Sequence, residues 1–362
     1  MSIRTLTPTI TLTGDENPYE LTRLAGSITN EADLALLATS DNGFVRKAVA
    51  GNPHSTAAVL SLLTHDDNDF VRKVLASNIR THPHTLAVLA SDVNDFVRKA
   101  VATNPSTMCK TLAVLATDVN SFVRTAVAQS PRTFNYTFAL LAEDEDGFVR
   151  KAVASNPATP VILLRELLDD ENSYVRQAVV NNPFCPVDVL PLLAGDDDAF
   201  VAKAAVKRTD CPVDGLRVAT THPNGYVRVA VAQHVSAPAD LLAVLAGDSN
   251  EFVAQAAIKR VNCPVDGLRA ASTHPNSYVR SAVARHRNAP EDVLVLLAED
   301  TDVFVLWAVY KHPSTPEPVR EAISSVKYQM RELAAEWAEQ QNNAPAWETD
   351  GLRLEDLPDD ED

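Results

Sequence analysis

The segment Phe148-Val149-Arg150-Lys151-Ala152-Val153-Ala154 recurs along the chain at a fixed spacing. An aromatic residue followed by valine marks each copy, and successive copies lie 26 residues apart. The eleven aromatic residues are Phe44, Phe70, Phe96, Phe122, Phe148, Tyr174, Phe200, Tyr226, Phe252, Tyr278 and Phe304. A constant period of this length, without insertion or deletion, is typical of a solenoid, in which each repeat packs only on its neighbours.

The first half of each repeat predicts a short helix, which we call helix B. At 100° per residue, Val149, Ala152 and Val153 share one face, with Phe148 beside it, so this face is expected to form core. The helix is expected to end at Asn156-Pro157, because proline cannot continue a helix and disfavours the α conformation in the residue before it.

The second half predicts another helix, which we call helix A. Thr159 is expected to cap it, with Pro160 at the first helical position. A pair of leucines three residues apart is expected to form its core face. These pairs are Leu60/Leu63, Leu86/Leu89, Leu112/Leu115, Leu164/Leu167, Leu190/Leu193, Leu242/Leu245 and Leu294/Leu297. Two short helices cannot bury their apolar faces alone, so the repeats must stack into an all-α solenoid.

The repeat reads Asp-x-x-x-Phe-Val-Arg-x-Ala-Val-Ala-x-Asn-Pro-x-Thr-Pro-x-x-Leu-Leu-x-x-Leu, and it resembles the leucine-rich repeat variant family among the HEAT and armadillo solenoids. The resemblance implies a right-handed α-solenoid of eleven two-helix repeats. Some family members carry an N-terminal cysteine cluster for an iron–sulfur centre. This chain has no cysteine before Cys109, so no cofactor is expected.

Differences among the repeats predict a ladder of ion pairs. An arginine follows most Phe-Val pairs, and an aspartate stands 20 residues after each of these arginines. Where Ala202 and Ala254 replace the arginine, His222 and His274 replace the aspartate. Because the two residues are lost together, we expect each arginine to contact the aspartate of the next repeat. The predicted structural pairs are Arg46/Asp66, Arg72/Asp92, Arg98/Asp118, Arg124/Asp144, Arg150/Asp170, Arg176/Asp196, Arg228/Asp248 and Arg280/Asp300.

Lysines follow the ladder arginines in the first two-thirds of the chain and predict a basic stripe. They are Lys47, Lys73, Lys99, Lys151 and Lys203. Thr125 and Gln177 interrupt the stripe. It is interpreted either as a track for an acidic partner or nucleic acid, or as a solubilising face beside an acidic rim.

Residues 200–251 and 252–303 form a second, 52-residue repeat, which suggests a duplicated pair of units. Each copy carries basic residues where the ladder is interrupted. These are Lys207, Arg208, Arg217 and His222 in the first copy, and Lys259, Arg260, Arg269 and His274 in the second. They are interpreted as twin anion- or carboxylate-binding patches, or as local repacking around the missing rungs.

The two ends depart from the repeat, and the chain divides into four segments. Residues 1–33 are an N-terminal segment and cap that includes Tyr19, 34–315 are the solenoid, 316–340 a capping or partner helix, and 341–362 an acidic disordered tail. A heptad pattern from Val319 to Trp337 predicts that the first half of the third segment covers the last repeat. Its second half is a candidate for dimerisation.

Composition limits the classes of function. The net charge is −16, of which the tail supplies −7 through eight acidic residues and Arg353. This balance opposes binding of nucleic acid, which usually requires a basic excess. Cys185, Cys211 and Cys263 share one repeat position, and repeats about 8–10 Å apart hold them too far from each other for disulfides or shared zinc ligation. With Cys109 they are expected to be structural, in a reducing compartment.

No phosphate loop, metal-ligand motif or nucleophile elbow occurs in the sequence, so no catalytic residue, cofactor or metal is expected. No apolar run of signal-peptide or membrane-span length is present, which favours a cytoplasmic protein. The sequence therefore predicts a non-catalytic protein-interaction scaffold, either monomeric or dimeric through residues 316–340. Two alternatives remain: a nucleic-acid-associated HEAT-like protein, and an acidic DNA mimic that inhibits a DNA-binding protein.

Overall fold

A computed structural model describes residues 9–10 and 17–333. Within these residues the chain forms helices and connecting turns without strands, and helices of successive repeats pack on each other as in an α-solenoid. The chain divides into two compact units, Met1–Pro186 and Val187–Asp362.

The first unit contains six complete helix B elements. Their bounds are Gly43–Gly51, Asp69–Ser77, Asp95–Thr103, Ser121–Gln129, Gly147–Ser155 and Ser173–Asn181. Pro18–Ser27 packs against the first of them from the N-terminal side. The helix A elements are Glu31–Leu37, Ala57–Ser61, Pro83–Leu89, Cys109–Leu115, Asn135–Ala142 and Val161–Glu166, the last continued by the 3₁₀ turn Leu167–Asp169.

The second unit repeats the arrangement. Its helix B elements are Ala199–Lys207, Gly225–Gln233, Glu251–Ile258, Ser277–Ala284 and Val303–Lys311. Its helix A elements are Leu190–Ala194, preceded by the 3₁₀ turn Val187–Val189, then Val213–Ala219, Ala239–Ala246, Val265–Ala271, Glu291–Leu297 and Glu317–Ala322.

The core lies between the two layers of helices, where the period places it. Val149, Ala152 and Val153 are buried, and so are both members of every predicted leucine pair. Phe148, which borders the predicted core face, is 74% exposed. One detail of the predicted repeat is wrong. Thr159 does not cap helix A; its Oγ1 donates to the carbonyl of Val153 at 2.6 Å, and Pro160 occupies the cap position.

The ion-pair ladder is present within both units. Nε and Nη2 of Arg150 donate to the two carboxylate oxygens of Asp170, at 2.6 and 2.9 Å. Nη1 donates to the carbonyl of Asp144, at 2.8 Å. The same pairing joins Arg46/Asp66, Arg72/Asp92, Arg98/Asp118, Arg124/Asp144, Arg228/Asp248 and Arg280/Asp300. The pair Arg176/Asp196 takes one residue from each unit and stays a prediction.

A second ladder, which the sequence interpretation did not include, runs through the Asn-Pro position. Nδ2 of Asn104 donates to the carbonyls of Ala76 and Asn78 in the preceding repeat, at 2.6 and 2.9 Å. Asn156 makes the same two bonds to Ala128 and Ser130. Each bond satisfies carbonyls at the C-terminal end of a helix B, which lack a partner inside their own helix. The repeats are therefore joined by two parallel rows of polar contacts as well as by their core.

The C-terminal segment covers the last repeat differently from the prediction. Glu317–Ala322 has no buried residue, and the chain turns at residues 323–325 before a helix that begins at 326. Val326 and Met330 of this second helix are buried against Trp307 of the last helix B. Val326 belongs to the first half of 316–340 and Met330 to its second half, so the buried contacts with the last repeat lie around the middle of the segment. Residues 334–340, including Trp337, and the tail 341–362 lie outside the described residues, and dimerisation stays a prediction.

Candidate functional site: a row of exposed aromatic rings and lysines

The aromatic residue of helix B recurs as faithfully as the core, yet it is mostly exposed in every repeat except the last, where Phe304 is partly buried against the cluster of Trp307, Val326 and Met330. In the first unit these rings, which we call the aromatic row, are Phe44, Phe70, Phe96, Phe122, Phe148 and Tyr174, and they are 60–74% exposed. In the second unit Phe200, Tyr226, Phe252 and Tyr278 are 66–74% exposed. Large apolar side chains that lie together in the open are typical of binding surfaces.

The position of each ring is fixed by the start of its helix. The ring belongs to the second helical residue, and its backbone N–H donates to the side chain of the N-cap residue. For Phe96 the N-cap is Asn94, at 2.8 Å, and for Phe148 it is Asp146, at 2.8 Å. An asparagine or aspartate at the N-cap is among the strongest helix-start signals. The rings are therefore carried on well-defined helix ends rather than on loops.

Four of the five predicted stripe lysines lie over the exposed helix B ring of the next repeat, three of them in the aromatic row and Lys203 in the second unit. Nζ of Lys73 is 5.5 Å from the ring centroid of Phe96, and Nζ of Lys99 is 5.8 Å from that of Phe122. Lys151 lies over Tyr174 and Lys203 over Tyr226, each at 5.5 Å. A cation within about 6 Å of an aromatic face is attracted by the ring quadrupole. Lys47, the fifth, is exposed.

The loop edge beside the row changes character along the first unit. The residue three positions before each ring is a carboxylate in some repeats: Asp67, Glu145 and Glu171 have side chains 87–90% exposed. In the two repeats between them it is valine, and Val93 and Val119 are 92% and 94% exposed. Phe96, Phe122 and these two valines give the middle of the row an apolar edge with carboxylates on both sides.

The twin patches proposed for the second unit are arranged differently from an open anion pocket. Arg208 pairs with Asp210 at 2.7 Å, and Arg217 with Asp240 at 2.9 Å. Lys207 is exposed.

In the second copy, Nη1 of Arg260 donates to the carbonyls of Ala232 and His234, at 3.2 and 2.6 Å. It therefore serves the second ladder in place of asparagine. Arg269 pairs with Asp292 at 2.9 Å, and Lys259 is exposed.

The two histidines of these patches are buried, with 6% and 7% of their surface exposed. Nδ1 of His222 accepts from the backbone N–H of Asn224, and Nδ1 of His274 accepts from that of Asn276, each at 3.0 Å. These contacts favour the repacking interpretation for the arginines and histidines. Binding of a partner by the twin patches stays a prediction.

Cysteines and metal-ligating groups form no further site in the part of the chain that the structure describes. Cys109, Cys185, Cys211 and Cys263 are free thiols. No group of three His, Cys, Asp or Glu side chains within residues 9–10 and 17–333 is placed to hold a metal ion. Among the same residues, no helix has the length and apolar character needed to cross a bilayer.

Comparison with known proteins finds similarity to solved structures only. No family model and no curated protein matches the chain. The chain is similar to a solved structure described as a leucine-rich repeat variant with a novel repetitive structural motif, with 27% identity over 61% of this chain and 87% of the other, and a TM-score of 0.49. An engineered protein matches over 74% of this chain and 96% of its own, with 19% identity and a TM-score of 0.12.

Proposed function

We propose that the protein is a non-catalytic protein-interaction scaffold, and that its partner lies along the aromatic row. The observation that carries the proposal is the recurrence of an aromatic residue at a position that is 60–74% exposed. Core packing does not account for this recurrence. Aromatic side chains supply large contact areas at few rotatable bonds and dominate many protein interfaces.

The regular spacing of the rings suits an extended partner. Solenoids bind such partners because each repeat offers one equivalent contact. Two repeats of the first unit carry Val93 and Val119 where other repeats carry a carboxylate. These valines distinguish the middle of the aromatic row from its two ends. A partner segment is therefore expected to bind in one register rather than slide along identical repeats.

Nucleic acid is the second candidate, because lysines and aromatic rings alternate along the row. Single-stranded nucleic acid is bound by base stacking on rings combined with cations for the phosphates. However, Asp67, Glu145 and Glu171 lie at the same edge with their carboxylates almost fully exposed, and they repel phosphates. We therefore favour a protein partner.

A matched pair of variants tests the proposal. The row variant replaces Phe96, Phe122 and Phe148 by serine. The control replaces Val114 and Leu140 of helix A and Leu62, which directly follows a helix A, by serine; these side chains are also 50–61% exposed. Tagged proteins are used to capture partners from the native host, with circular dichroism to verify folding. A protein captured by wild type and control but lost with the row variant is the expected result. Equal capture by all three proteins would contradict the proposal, as would capture of nucleic acid alone.

A further inference from the structure

The aromatic row is partly occupied by the protein's own cations. Lys73 covers Phe96, Lys99 covers Phe122 and Lys151 covers Tyr174, with Nζ 5.5–5.8 Å from the ring centroids. In each case the lysine comes from the preceding repeat. The chemistry that these rings support is therefore visible within the molecule: an ammonium group over an exposed aromatic face.

The ring of Phe148 interrupts this series. The preceding repeat has Thr125 at the lysine position, and threonine carries no cation. Lys151, which lies one turn further along the helix of Phe148, is directed to Tyr174 instead. Phe148 is 74% exposed, and no side-chain cation of the described residues lies over it.

Two exposed carboxylates are held near the helix that carries this ring, one in the turn before the helix and one by Arg150 within it. Glu145 precedes Phe148 by three residues, and its Oε1 is 3.5 Å from Nη2 of Arg124. Glu171 has its Oε1 3.3 Å from Nη2 of Arg150, the residue two positions after Phe148. Both arginines already bind a ladder aspartate through two bonds, and both glutamate side chains remain 87–90% exposed. The glutamates therefore keep negative charge available near the start of the helix that carries Phe148.

We infer that Phe148, with Glu145 and Glu171, receives a lysine or arginine side chain from an extended segment of the partner protein. The inference rests on the proposed function and names the chemistry of its partner. The incoming cation takes the place that Lys99 takes over Phe122, and the carboxylates add charge complementarity. The neighbouring Val119 and Phe122 accept an apolar side chain of the same segment. The partner segment is thus basic and apolar in alternation.

The substitution Thr125→Lys tests the inference by filling the site from within. Lysine occupies this position in the repeats of Lys73, Lys99 and Lys151, so the variant is expected to fold with an unchanged melting temperature. Thr125→Gln, the residue found at Gln177, is the uncharged control. Thr103→Lys, at an exposed position in another repeat, controls for net charge.

The probe is a fluorescein-labelled peptide in which arginine and leucine alternate, compared with the same peptide carrying glutamine for arginine. Fluorescence anisotropy measures the dissociation constant of each peptide. For the arginine peptide, the dissociation constant of Thr125→Lys is expected to be about fivefold or more above that of wild type. Thr125→Gln and Thr103→Lys are expected to leave it within about twofold, and the glutamine peptide is expected to bind weakly to every protein.

In the peptide assay, three results would overturn the inference: no binding of the arginine peptide to wild type, equal binding by Thr125→Lys and wild type, or equal weakening by Thr103→Lys. Loss of the host partner with the triple serine variant, but not with Thr125→Lys, would keep the proposed function and reject only the site at Phe148. Preferential binding of an oligo-dT probe would contradict both.

Discussion

Nε2 of His222 lies 3.0 Å from the carbonyl oxygen of Asp196 in the preceding repeat. Since Nδ1 of the same ring accepts the backbone N–H of Asn224, a neutral ring carries its proton on Nε2 and donates it to that carbonyl. In repeats that have a charged rung, the arginine donates to the carbonyl at the equivalent position. For example, Nη1 of Arg228 donates to the carbonyl oxygen of His222 at 2.7 Å. One buried histidine thus replaces both the arginine and the aspartate, which explains why Ala202 and His222 occur together.

Restoring the charged rung is a direct test of this explanation. His222→Asp alone leaves a buried carboxylate without an arginine, and Ala202→Arg alone places a guanidinium beside the histidine. Each single variant is expected to lose about 3 kcal/mol of stability, whereas the double variant is expected to recover to within about 1 kcal/mol of wild type. Urea denaturation followed by circular dichroism measures the coupling. A double variant whose loss equals the sum of the single losses would reject the replacement model.

Arg150→Ala is expected to destabilise the protein much more than Lys151→Ala. Removal of the Arg150 guanidinium leaves the carboxylate of Asp170, only 5% exposed, without its partner, at a cost of about 3 kcal/mol. Lys151 contributes a single exposed contact with the ring of Tyr174, worth about 0.5–1 kcal/mol. The melting temperatures of the two variants decide the matter. If they fall by equal amounts, the ladder does not stabilise the stacking of repeats.

The ladder and the leucine core were predictable because eleven copies of one repeat reveal which residues change together. The period fixes which positions face inward, and paired losses such as Ala202 with His222 identify contacts between neighbouring repeats. The structure forms these contacts because each repeat meets its neighbours in the same way. A single domain without repeats would not have offered this information.

The exposure of Phe148 was not predictable from the same pattern. Its place on the helical wheel borders the core face, and only the stacking of the next repeat determines whether a residue at that border is covered. The second ladder was missed for another reason. The Asn156-Pro157 pair by itself indicates only a helix stop. The replacement of the asparagine by His234 and Arg260 in other repeats preserves a hydrogen-bond donor, and this is the signal that points to the second ladder.

The ladder also predicts acid sensitivity. Partial burial opposes ionisation of Asp92, but hydrogen bonds from Arg72 and from the backbone N–H of Asn94 prevail and lower its pKa. The pKa values of Asp66, Asp118, Asp170, Asp248 and Asp300 are lowered in the same way. A carboxyl with a lowered folded pKa stabilises the protein above its unfolded value, near 3.9, and this contribution is lost as the pH falls through the folded value.

The melting temperature is therefore expected to fall steeply below about pH 4. Asp92→Asn should be less stable than wild type at neutral pH and should lose less on acidification, because one titrating rung is gone. Asp67→Asn, at a side chain that is 88% exposed, is the matched control and should follow the wild-type curve. Parallel curves for Asp92→Asn and wild type between pH 7 and pH 2.5 would show that the Asp92 carboxyl does not contribute to the acid response.

The four cysteines are expected to separate into one accessible and three protected thiols. Cys109 is half-buried, whereas Cys185, Cys211 and Cys263 are 3–4% exposed. Burial raises the pKa of Cys211 and of Cys263 to about 11, so at pH 8 only about one in a thousand of these thiols is the reactive thiolate. With an aromatic disulfide reagent at pH 8, one thiol should react quickly and the other three only after denaturation. Cys109→Ser should abolish the fast phase. A fast phase that survives this substitution would mean that a repeat in one of the units opens locally, because neither burial nor thiolate content permits rapid reaction in the closed state.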